Sequence, residues 1–157
     1  MKETNCSKMR VDPNLELQEI FRKEVRCPFR QLTLEEREIR SRSIKRLEHL
    51  MESLQLPELI FSSAITYFDL VVSKVSSDST SYQEIVLICL LIACKYHESS
   101  DIADKSEKVL KILETEVGEK LMKALELRVL TLLQWNIDIQ TPIQFVEYYI
   151  DRGKHQY

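Results

Sequence analysis

Ile85-Val-Leu-Ile-Cys-Leu-Leu-Ile-Ala93 is the longest apolar run in the chain, nine residues without a charged or amide side chain. It is too short to cross a membrane, which takes about 20 apolar residues. It is also too uniform for a surface helix, where only one stripe is apolar. The segment around it, about Tyr82 to Tyr96, reads as a single helix. Ser76-Ser-Asp-Ser-Thr-Ser81 precedes it and Ser99-Ser-Asp101 follows, both built from residues that cap helices and make turns. A helix apolar on every side is buried on every side. The remaining sequence must therefore supply helices that surround it.

The flanking sequence does so. N-terminal to the run, Pro57 opens a helix in which Ile60, Phe61, Ala64, Ile65, Phe68, Val71, Val72 and Val75 form a wide apolar face. Before that, Thr33-Leu-Glu-Glu36 is a capping box that starts a helix running to about Ser53. Its stripe is Ile39, Ile44, Leu47, Leu50, Met51 and Leu54. A further helix is expected from Asp12-Pro13 to about Cys27-Pro28. On the C-terminal side, a short helix is predicted near Lys105–Leu113 and a stronger one near Val117–Leu133, with Leu121, Leu125, Val129, Leu132 and Leu133 inward. Trp135, Ile137 and Ile139 alternate with polar residues, which predicts an extended segment. Thr141-Pro142 then starts a last helix carrying Phe145, Tyr148 and Tyr149.

Composition agrees with an all-α class and narrows the chemistry. The 157 residues hold only 2 Gly and 4 Pro, too few turn-formers for a sandwich or barrel. With Gly118 and Gly153 so far apart, no glycine-rich phosphate loop can form. Lys plus Arg number 22 and Asp plus Glu 25, a net charge of −3 that argues against a general nucleic-acid coat. The asymmetry is mild, because residues 1–56 carry 12 basic and 10 acidic side chains. Cys6, Cys27, Cys89 and Cys94 have no zinc-like spacing and read as free thiols in a reducing compartment. The first 30 residues have no apolar signal segment, so an intracellular protein, nuclear or cytoplasmic, is expected. No residue pattern indicates a catalytic group, a metal ligand or a cofactor.

Three motifs give the bundle a more specific meaning. Ser63-Ala-Ile-Thr-Tyr-Phe-Asp69 falls on the helix before the buried one. Leu90-Leu-Ile-Ala-Cys-Lys-Tyr-His-Glu98 closes the buried helix, and Glu126-Leu-Arg-Val-Leu130 precedes Leu133, Trp135, Ile137 and Thr141-Pro142. In order and separation they resemble the second-, third- and fifth-helix signatures of the cyclin family, over about residues 37–145. The resemblance implies a cyclin box, a five-helix bundle around its third helix, at residues 33–140. It leaves an N-terminal extension with one helix at 1–32 and a helical tail at 141–157. Only 22 residues follow Trp135, so a second box is not expected within this chain.

The resemblance also assigns residues. In cyclins the Lys of the third-helix signature and the Glu of the fifth touch the partner kinase, positions filled here by Lys95 and Glu126. On spacing and charge alone, Lys95 is a cation favoured at a helix C-terminus, and Glu126 is a surface acid within reach of Lys123. Arg40 aligns with the Arg of the family's Met-Arg-Ala-Ile-Leu segment and Asp69 with its usual partner, which implies a structural salt bridge. The substrate-docking patch of cell-cycle cyclins aligns with Ile39-Arg-Ser-Arg-Ser-Ile-Lys-Arg46. Its apolar Leu falls on Ser43 and its Trp on Arg46, beside Ile39. An apolar docking groove is therefore expected to be altered. His97 stands where the signature has Glu.

The function implied is that of a non-catalytic activating subunit of a cyclin-dependent protein kinase, monomeric when free and heterodimeric with the kinase. No membrane or nucleic-acid partner is expected. The alternative is a cyclin-fold adaptor or transcription-factor-like module that binds protein or DNA without a kinase. Its candidate surface is Arg37, Arg40, Arg42, Lys45 and Arg46, which spread over much of one helix and read better as a solvated face.

Overall fold

A computed structural model describes residues 15, 18, 19, 31–75 and 82–154. Residues 31–75 and 82–154 form six helices and no strand: α1 (Leu34–Leu54), α2 (Glu58–Val72), α3 (Tyr82–Tyr96), α4 (Ser100–Val117), α5 (Glu119–Leu132) and α6 (Pro142–Lys154). Leu15, Gln18 and Glu19 are helical and exposed. The rest of the helix expected over Asp12–Cys27 lies outside the described residues.

α3 is the axis of the molecule. Tyr82 and every residue from Ile85 to Cys94 are buried, and α3 packs against α1, α2, α4 and α5. The reason is the one read from its composition: no stripe of this helix can face water without exposing Leu, Ile or Val. The ring of Phe68 on α2 meets that of Tyr82 edge-on, with centroids 6.1 Å apart. Cys89 and Cys94 are buried free thiols. Burial pushes Cys94 up to about 11 and Cys89 further still, so neither is a nucleophile at neutral pH.

The ends of the helices follow local chemistry. The capping box closes at both bonds: Thr33 Oγ1 accepts from the Glu36 backbone N–H at 3.2 Å, and Glu36 Oε2 accepts from that of Thr33 at 2.9 Å. α1 ends at Gln55 in the left-handed conformation, φ 52° and ψ 47°. α4 and α5 meet at Gly118, whose φ of 85° suits only glycine without strain. α6 packs on α2 and has no fully buried residue.

Two helix expectations need correction. α4 is not a short helix near Lys105–Leu113 but spans 18 residues from Ser100. Ser99 takes the extended N-cap conformation, so the polar Ser99-Ser-Asp101 stretch begins the helix rather than interrupting the chain. In α5, Leu121 does not face inward; it is exposed, and Met122 is buried in its place. The buried positions are Met122, Leu125, Val129 and, just past the helix, Leu133. Those spacings of 3, 4 and 4 follow one helical stripe, whereas Leu121 lies about 100° off Met122 around the axis.

Candidate functional site

The buried run of α3 stops at Cys94, and Lys95 is the next residue and exposed. It stands at the helix C-terminus, where the carbonyl ends of the backbone favour a cation. Across from it on α5 is Glu126. Lys95 Nζ lies 2.6 Å from Glu126 Oε1, with side-chain exposures of 49% and 19%. Glu126 does not pair with Lys123, which bonds Glu119 at 2.9 Å instead. A lysine thus leans over a carboxylate that is itself mostly enclosed.

The pair sits at an apolar pocket of about 340 Å³ shared by α3, α5 and the segment after α5. Ile92, Leu130, Trp135 and Ile137 complete its walls, with Tyr96. Of these, Tyr96 and Trp135 are exposed, Trp135 to 62%. Trp135 was expected to share an extended segment with Ile137 and Ile139. The backbone instead turns left-handed at two consecutive residues, with φ 54° at Gln134 and 58° at Trp135. The alternation is broken there, so Ile139 is buried while Trp135 faces out. Period-two reading carries no signal for such a turn.

A second layer holds this segment in place. Tyr67 on α2, itself buried, donates its hydroxyl to the Ile137 carbonyl at 2.5 Å. Burial drives its phenol far above the ordinary range, so the hydroxyl keeps the proton it donates. Lys74 Nζ donates to the Leu132 carbonyl at 2.6 Å, closing the C-terminus of α5. His97 Nε2 shares a hydrogen bond of 3.0 Å with Ser63 Oγ on α2. Burial lowers the His97 pKa, and Asp138 opposes that shift. The His97 ring also stacks edge-on against Tyr96, 4.9 Å between centroids.

The other residues singled out from sequence lie on α1. Arg40 forms a two-pronged ion pair with Asp69 of α2, Nε–Oδ1 at 2.7 Å and Nη2–Oδ2 at 2.9 Å. The hydrogen bond to Asp69 raises the Arg40 pKa. Ser43 is not a surface position at all. It is fully buried, with its hydroxyl donating to the Ile39 carbonyl at 2.9 Å. Of Ile39, Ser43 and Arg46, only Ile39 and Arg46 reach solvent, both in part. Arg46 forms an ion pair with Glu116 and a long hydrogen bond of 3.5 Å with Gln83. The basic cluster of α1 is largely neutralised: Arg40, Arg42 and Arg46 pair with Asp69, Glu38 and Glu116.

Chemically, the α3–α5 site can bind but has little with which to react. A Lys and a Glu side by side offer donors and an acceptor to the backbone of a partner segment, and the pocket beside them can take an apolar side chain. Among the described residues no group of three or more His, Cys, Asp or Glu could hold a metal ion. No helix among the described residues is long and apolar enough to cross a membrane.

Comparison with known proteins agrees with this architecture. The family model for the cyclin N-terminal domain matches residues 12–138. Cyclin-D of Ostreococcus tauri is 32% identical over 87 residues, 55% of this chain and 23% of the relative. Human Cyclin-J is 26% identical over 98 residues, 59% of this chain and 26% of the relative. The chain therefore spans about a quarter of the length of these curated relatives. No solved structure matches it significantly. A helix buried on all sides, four helices packed around it and a family match over most of the sequence lead to one assignment: the chain belongs to the cyclin family, through its N-terminal domain.

Proposed function

We propose that this chain is an activating, non-catalytic subunit of a cyclin-dependent protein kinase and binds it through the α3–α5 face. The observation that carries the reading is the Lys95–Glu126 pair beside an apolar pocket lined by exposed Tyr96 and Trp135. Exposed aromatic anchors around a small polar centre are how protein interfaces concentrate binding energy. In this role the chain presses α3 and α5 against the kinase's regulatory helix. Binding then favours the kinase state in which that helix and the activation loop are correctly placed, a population shift driven by differential affinity.

The test is capture and activation of a panel of cyclin-dependent kinases by the native chain, by Lys95→Glu and by Glu126→Lys. Lys95→Glu places two carboxylates together and removes the donor. Each single reversal is expected to weaken binding at least tenfold with little change in thermal midpoint, because partly exposed ion pairs contribute only about 0.2–1 kcal/mol to stability. Full activation by both variants, or no kinase activated by the native chain, overturns the proposal.

A further inference from the structure

Two walls of the α3–α5 pocket are held in place by α2. Tyr96, the last residue of α3, forms one of them, and Ile137, in the segment after α5, forms the other. Ser63 and Tyr67 lie four positions apart on α2, one turn on the same face, and both are buried. Tyr67 holds the second wall directly, through its hydroxyl on the Ile137 carbonyl. Ser63 reaches the first wall only through His97. Its Oγ lies 3.0 Å from His97 Nε2, and the His97 ring meets that of Tyr96 edge-on. His97 itself lines no part of the pocket.

Of the groups in this support, His97 is the one whose charge changes near neutral pH. From α2 it meets the Ser63 hydroxyl, and Tyr67 on the same face stays neutral. From the segment after α5, Asp138 acts on it in favour of the proton. On its own element Lys95 stands two residues back and Glu98 is the next residue, both exposed. Lys95 is paired with Glu126. His97 is only partly buried, so water still supports an imidazolium there. A partner seated on Tyr96 removes some of that water, and burial disfavours the charged ring. The occupied pocket therefore suits neutral His97. Once charged, both ring nitrogens donate, and the ring gains by turning toward water or Asp138 and away from Tyr96.

We propose that His97 is a positioning residue for partner binding: neutral, it seats Tyr96 as a wall of the α3–α5 pocket, and protonated, it lowers the affinity of that face for its partner. The proposal rests on the reading of the α3–α5 face as the kinase-binding surface. Linkage fixes its sign. Partner binding must weaken proton binding at His97 by the same factor by which the proton weakens partner binding. Affinity is therefore full above about pH 6.5, the ordinary value for histidine, and falls as the pH drops below it.

Two measurements on the full chain test this, and the first needs no kinase. Aromatic proton–carbon NMR of the free chain follows both rings from pH 7.5 to 5.5. The Tyr96 ring resonances are expected to move with the midpoint of His97, and to stay still in His97→Gln, whose amide reaches Ser63 without titrating. The second is affinity for the panel of cyclin-dependent kinases over the same pH range. Binding by the native chain is expected to weaken about threefold or more. His97→Gln should match the native chain at pH 7.5 and lose much less on acidification, which separates His97 from groups that titrate on the kinase. A Tyr96 ring indifferent to His97, or equal losses of affinity in the native chain and His97→Gln, overturns the proposal. Tyr96 following His97 with no kinase bound at any pH supports the positioning of Tyr96 and overturns the kinase reading instead.

Discussion

At the scale of single residues, Arg40 and His97 show how charge is used here for position. The Arg40–Asp69 pair joins α1 to α2, with side-chain exposures of 34% and 26%. Its two parallel bonds fix both the distance and the rotation of the helices. Arg40→Ala leaves Asp69 partly enclosed without its partner. The expected loss is about 1–2 kcal/mol after allowing for solvent screening, larger than for an open surface pair. Urea unfolding of Arg40→Ala and Arg40→Lys checks it, with Lys recovering only part because it lacks the fork. His97 differs in sign. Its folded pKa is lowered by burial, so the unfolded chain binds the proton more readily. Stability contributed by neutral His97 is complete above about pH 6.5, its ordinary value, and declines as pH falls from there toward the lower folded pKa. The urea midpoint of the native chain should therefore fall between pH 7.5 and 5.5 more steeply than that of His97→Gln, which can still bond Ser63. Parallel slopes would show that His97 does not contribute.

At the scale of elements, α3 decides the fold. Leu91 is completely buried, and Leu91→Ala is expected to cost about 2–5 kcal/mol, a large share of the about 5–15 kcal/mol typical of a domain. Chemical denaturation measures it; a change below about 1 kcal/mol would mean the helix is not enclosed as described. This element was legible in the sequence because an unbroken apolar run allows no orientation other than burial. The same holds for the α1 start, where the Thr33–Glu36 box is a local, self-contained code. The start of α4 was obscured because Ser and Asp serve equally in loops and caps. Leu121 and Met122 are both apolar, and only the packing of α5 against α3 and α4 decides which turns inward. Lys95 and Glu126 stood out as charges within apolar motifs, yet their contact spans 31 positions and is made by tertiary structure alone. Trp135 was hidden for another reason. Two left-handed residues without glycine have no propensity signal, and the conformation is held from afar by the Tyr67 hydroxyl on Ile137.

At the scale of the whole molecule, apolar side chains remain uncovered around Trp135 and along Val146, Tyr149 and Ile150 of α6, among other described positions. Trp135 is the single tryptophan of the chain, so its fluorescence reports the first of these directly. In the free protein, emission should be that of a wet indole and readily quenched by acrylamide. Adding a tryptophan-free peptide of a kinase regulatory helix should shift it blue and protect it. Emission that is already blue and protected in the monomer would show that the bend at Gln134–Trp135 packs inward. The central helix has a further consequence, for synthesis on the ribosome. Tyr96 ends α3, and Leu132, which ends the last helix packed against it, is added 36 residues later. At about 5–20 residues per second, roughly 2–7 s pass before that cover exists. For that interval the newborn chain presents its stickiest nonapeptide half-clothed. Nascent chains halted between α3 and α5 should be the ones that recruit chaperones.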